Sequence, residues 1–135
     1  MGAELLTVVL LICIGLSACV RMLLPTSADE LRTKAKTNTQ FIIDRDYLDV
    51  YRDIKRASGC LDYSSQNSTR VTKSELYREQ KYGEVSVNSN FGTYILNIKV
   101  REKGEAQAYV QVWSYNAGDE AAIKKWALGE VACSK

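Results

Sequence analysis

Two alternating runs near the C-terminal end constrain this chain more than any other feature. Tyr94, Leu96, Ile98 and Val100 alternate with Ile95, Asn97, Lys99 and Arg101; then Ala106, Ala108, Val110 and Val112 alternate with Gln107, Tyr109, Gln111 and Trp113. A period of two marks a half-buried strand, because successive side chains leave a strand on opposite faces. Separated by a turn around Lys103-Gly104, the two runs read as a β-hairpin with one apolar and one polar face. The faces limit the register. A two-residue turn at Lys103-Gly104 sets Leu96 opposite Gln111 and Ile98 opposite Tyr109, mixing the faces. A three-residue loop, Glu102-Lys103-Gly104 with Gly104 left-handed, pairs Ile98 with Ala108, Leu96 with Val110 and Arg101 with Glu105. The second register is the one expected.

Thr37 to Ile43 (TNTQFII) has strand composition. Asp44 then offers a helix N-cap, with Asp46 in the first turn. Tyr47, Val50, Tyr51, Ile54 and Ala57 recur at steps of three or four, which predicts an amphipathic helix ending at Gly59 as a C′ residue. Residues 61 to 70 read as loop, Val71 to Arg78 and Gly83 to Ser89 as strands. A last helix is expected from about Gly118 to Leu128, with Asp119 and Glu120 early, Lys124 and Lys125 late, and Gly129 ending it. Helices on both sides of a run of antiparallel strands predict an α+β two-layer sandwich: a sheet of three to five strands with two helices on one face.

The N-terminal part has a different character. Leu5 to Leu16 (LLTVVLLICIGL) is an uncharged apolar run, too short for a spanning helix, which needs about 20 residues, and of the length of a signal-peptide core, about 7 to 15. Leu16-Ser17-Ala18-Cys19 follows and resembles the lipobox of bacterial lipoproteins. That resemblance implies cleavage before Cys19, lipid on Cys19, and anchoring to a membrane through several acyl chains. An aspartate after the lipidated cysteine is associated with inner-membrane retention; Val20 stands here, which implies the periplasmic face of the outer membrane, with the inner membrane as the alternative. Met1 to Glu4 carries no Lys or Arg, and an uncleaved anchor with Arg21 behind it would leave the C-terminal part cytoplasmic. The expected organisation is residues 1–18 signal peptide, 19–36 lipid-anchored tether and 37–135 folded periplasmic domain. The tether holds Pro25, the only proline, and within it Ala28 to Lys36 offers a short helix.

With Cys13 in the removed segment and Cys19 lipidated, Cys60 and Cys133 remain as an expected disulfide, since the periplasm is oxidising. Two buried free thiols are the alternative.

The chain has no histidine, which removes the usual general base and the commonest zinc ligand. A net charge of +2 is too small for a nucleic-acid partner. Asp46, Asp49 and Asp53 could gather around a hard cation, but Arg45, Arg52, Lys55 and Arg56 interleave with them, as on a salt-bridged helix face. Glu75, Glu79 and Glu84 offer no distinguished pair. No cofactor, metal site or catalytic constellation is expected, so the chain reads as a non-enzyme. The candidate binding surface is the polar hairpin face, with Lys99, Arg101, Tyr109, Gln111, Trp113 and Tyr115 mixing aromatics, amides and bases. These features point to a non-catalytic protein-binding or assembly module of the cell envelope with an unidentified protein partner. The alternative is an inhibitor or immunity-type protein against an envelope-damaging enzyme.

Overall fold

In the computed structural model of the chain, the described residues are 24–60, 63–64, 69–89, 92–115 and 119–130. Apolar alternation builds the centre of the fold. In order, the elements are α1 (Ala28–Lys34), β1 (Thr37–Ile43), α2 (Tyr47–Gly59), β2 (Tyr63–Ser64), β3 (Thr69–Tyr77), β4 (Tyr82–Ser89), β5 (Thr93–Glu102), β6 (Ala108–Ser114) and α3 (Asp119–Ala127). The strands run antiparallel in the order β1-β6-β5-β4-β3-β2, with β2 only a two-residue extension. The α+β class, with its antiparallel sheet and two helices on one face, is as the sequence predicts.

On the apolar face, Val85, Val87, Leu96, Ile98, Val100, Val110 and Val112 are almost wholly buried beneath Val50, Tyr51 and Ile54 of α2 and Ile123 of α3. The buried positions of α2 are those of its three- and four-residue repeat. One contact is unusually close. A Cβ on Gly83 would lie 2.4 Å from the Tyr51 ring, so β4 accepts that ring only because residue 83 has no side chain. Arg45 ties the two helices together: Nη2 pairs with Asp53 at 2.8 Å and Nη1 donates to the Ala127 carbonyl at 2.8 Å, placing a cation at the C-terminal end of α3. Gly129 (φ 81°) turns the chain out of α3, as its sequence position predicts.

Several local expectations are corrected. The hairpin pairs Leu96 with Ser114, Ile98 with Val112 and Val100 with Val110, not Ile98 with Ala108. Its loop sits further along, closed by the Lys103 amide donating to the Gln107 carbonyl, with Gly104 (φ 65°) and Ala106 (φ 55°) left-handed. Each residue's partner moves by four positions, an even slip, so every side chain keeps its predicted face. The N-cap of α2 is Asp46, whose carboxylate accepts from the Leu48 amide at 2.8 Å, rather than Asp44. Gly59 is the last helical residue and not a left-handed C′ position; Cys60 is the cap. Residues 63–64 and 69–70 lie in strands where loop was expected.

The largest difference lies before β1. Residues 24–36, the described part of the stretch expected as tether, fold onto the sheet: the Tyr94 amide donates to the Pro25 carbonyl, and Ser27 caps α1 by accepting from the Glu30 amide. Leu31 is completely buried. Thr26 donates to Glu30 through both its amide and its hydroxyl, and Lys34 pairs with the same carboxylate. These bonds, the one from Lys34 first, hold Glu30 down to about 2. Seven residues make a marginal isolated helix; capping and one buried leucine hold it in place.

Candidate functional site

The second face of the sheet is a grid of polar and aromatic side chains whose neighbours follow from register. Tyr109, Arg101, Tyr82 and Tyr77 form one row across β6 to β3, with Ile42 of β1 at its end. Gln111, Lys99, Glu84 and Glu75 form the next, and Trp113, Asn97, Ser86 and Lys73 the third. Lys99, Arg101, Tyr109, Gln111 and Trp113 therefore share one face, as expected, while Tyr115 follows β6 at the same edge of the grid.

Helix α1 divides this face. Arg32 reaches down from it to pair with Glu84 at 2.8 Å, donates through Nε to Asn97 Oδ1 at 3.2 Å, and places its guanidinium 5.1 Å from the Trp113 ring. Asn97 is completely buried and passes the network on, donating to Ser86 Oγ at 2.9 Å. Lys36 lies 5.1 Å from the Tyr115 ring. Trp113 and Tyr115, expected at an open surface, thus serve in holding the N-terminal segment to the sheet. Through Arg32, α1 thus engages Glu84, Asn97 and Trp113.

Beyond them the face stays open. Tyr77 and Tyr82 stack with ring centroids 4.7 Å apart, and Lys99 sits 4.4 Å from the Tyr82 ring. Burial, with Arg101 adding repulsion, lowers the Lys99 pKa. Tyr77 donates its hydroxyl to Glu75, which pushes the phenol up to about 12. Tyr109 donates to Gln40, fixing its ring against β1. Arg101, Glu102, Lys103 and Tyr109 border an open recess of about 260 Å³. A second recess, about 170 Å³, lies beside α1 and is lined by Lys73, Glu75, Glu84, Ser86 and Tyr94 among others. The open half thus offers flat aromatic rings flanked by cations, an arrangement that grips a partner by stacking and charge-assisted hydrogen bonds.

Tyr77, Tyr82 and Ile42 belong to this surface without having been singled out from sequence. The signal for Tyr82 was present: it continues the alternation of Glu84 and Ser86 by one step, ahead of the glycine taken as the strand's start.

The remaining candidates fall elsewhere. Cys60 caps α2 and is disulfide-bonded; Cys19 and Cys133 lie outside the described residues. Asp49 pairs with Arg52, and Asp53 with Arg45 and Arg56, so the acids of α2 are engaged by the interleaved bases. Among the described residues no group of three acids or cysteines is placed to hold a metal ion, and no helix is long and apolar enough to cross a membrane. The chain matches no protein-family model, and no curated protein is significantly similar to it in sequence.

Proposed function

We propose that this chain is a lipid-anchored periplasmic lipoprotein, held on the outer membrane through Cys19, and that it acts as a non-catalytic protein-binding module of the envelope. The observation that carries the binding role is the half-open polar face, where Tyr77, Tyr82, Arg101 and Tyr109 line up in one row beyond the reach of α1. The lipobox carries the anchor, and the disulfide at Cys60 agrees with an oxidising compartment, with Cys133 as its proposed partner.

The early start of the fold gives the anchor a geometric consequence. Pro25 is already bonded to β5, so about six residue steps, roughly 20 Å at full extension, separate it from a lipid on Cys19. That end of the sheet is kept close to the bilayer. The aromatic row crosses β5 at Arg101, seven residues beyond Tyr94, or roughly 24 Å along the strand. The open half is then presented away from the membrane, towards a partner in the periplasm.

Metabolic labelling with palmitate tests the anchor: the wild-type chain should incorporate label and Cys19→Ser should not. Label retained in Cys19→Ser would remove it. For the binding role, Tyr109→Ala combined with Arg101→Glu should abolish co-purification of the envelope partner from cross-linked cells while leaving the fold intact. Unchanged co-purification would remove the open face as the site.

A further inference from the structure

The two edges of the sheet are treated very differently by the sequence. On one side β3 carries Arg70, Lys73 and Glu75 and is extended by β2. On the other, β1 is outermost and pairs only with β6. Its sequence, TNTQFII, has no charge, no proline and no glycine, and Ile42 is 46% exposed. Edge strands are ordinarily blunted by charge, proline, bulges or a covering segment, because every second residue turns its N–H and C=O outward as a template for another strand. Within its seven residues β1 has no charge, proline or bulge.

We propose that β1 is a homodimer interface, pairing antiparallel with β1 of a second copy across a twofold axis at Gln40. An interface of this kind must be self-complementary, and β1 with its flanks is. Centred on Gln40, Thr39 meets Phe41 of the second copy, Asn38 meets Ile42, and Thr37 meets Ile43. One step further out, at both ends, Lys36 meets Asp44 of the second copy, a cation opposite a carboxylate. Lys36 and Asp44 are both exposed and flank the strand on either side. The pairing continues the sheet from one copy into the next, keeps the helix layers of both on the same face, and covers Ile42. It adds no like-charge contact along the strand. This inference does not depend on the lipid anchor, and it leaves the row from Tyr109 to Tyr77 free on each copy.

The register makes the proposal testable by cysteine cross-linking of the purified full chain in mild detergent. A residue on the axis faces its own copy within disulfide reach, so Gln40→Cys should yield a covalent dimer under gentle oxidation. Asn38→Cys alone should not, because two copies of residue 38 lie roughly 13 Å apart in this pairing. Asn38→Cys mixed with Ile42→Cys should again cross-link. Lys36→Asp should weaken dimerisation, read by sedimentation, by roughly tenfold or more, and adding Asp44→Lys should restore it. Ile42→Lys places a charge on an exposed position and should give a folded monomer, with an unchanged circular dichroism spectrum. Cross-linking that ignores position, a dimer untouched by Ile42→Lys, or a wild-type chain monomeric at high concentration would each overturn the proposal. So would a monomer whose β1 edge takes up only a strand from another protein.

Discussion

The two faces of the sheet are held by opposite means. Under α2 and α3 the contact is apolar, dense and shaped: Ile54 and Ile98 are completely buried, and the Tyr51 ring occupies the space left by Gly83. Under α1 the contact is narrow and polar, one leucine and one arginine whose guanidinium serves Glu84, Asn97 and Trp113 together. Burial stabilises in proportion to apolar area, so the first face carries the fold. A polar contact contributes less net free energy but leaves costly unpaired groups when broken. The second face is therefore an attachment: it fixes where the N-terminal segment sits and how much of the aromatic surface remains open.

That contrast can be broken most forcefully from the apolar side. Ile98→Ala should cost about 2–5 kcal/mol, seen as a lower urea midpoint for the whole domain. Gly83→Ala forces a methyl group into the Tyr51 ring and should cost about 1–3 kcal/mol in the same measurement, with Tyr51→Leu in the same chain relieving part of the loss. Arg32→Ala should cost less than Ile98→Ala, about 1–3 kcal/mol, through Asn97 and Glu84 left unpaired. Its signature is local: amides of α1 should lose protection from hydrogen exchange while those of β4 and β5 keep theirs, and Trp113 emission should shift to the red. Loss of protection across the whole sheet would contradict the view of α1 as an attachment.

The smallest effect is the pH response of α1. Glu30 is held at about 2, below its ordinary 4.5, by Lys34 and Thr26. A depressed carboxylate stabilises the folded state above its unfolded pKa, and that stabilisation fades as pH falls from about 4.5 towards 2. Exchange protection of α1 should decline across that window ahead of the sheet, and Glu30→Gln should flatten the decline. Equal acid sensitivity in the variant would place the responsible group elsewhere.

Legibility in the sequence followed the same division. Residues 37–43 were readable from their strand composition, and the buried stripe of α2 because its periodicity and its burial have one cause. The hairpin faces were readable but its register was not, since an even slip preserves every face and only the conformations of Gly104 and Ala106 decide the loop. Helix α1 was legible only as a short helix over Ala28 to Lys36 within the tether, because a segment with one buried leucine has no period to detect; its docking depends on Asn97 and Glu84, 65 and 52 residues distant from Arg32. The open surface was half legible in turn. The residues of β5 and β6 were found by alternation, whereas no local pattern shows that Arg32 stacks on Trp113.

The division of the polar face is tested most directly by placing a photo-activated cross-linking residue at Tyr109 or at Trp113 and irradiating intact cells that make the full chain. The account predicts capture of one envelope protein from position 109, none from position 113, and capture from 113 as well once Arg32→Ala releases α1. Equal capture from both positions in the wild-type background, or none from 109, would contradict it.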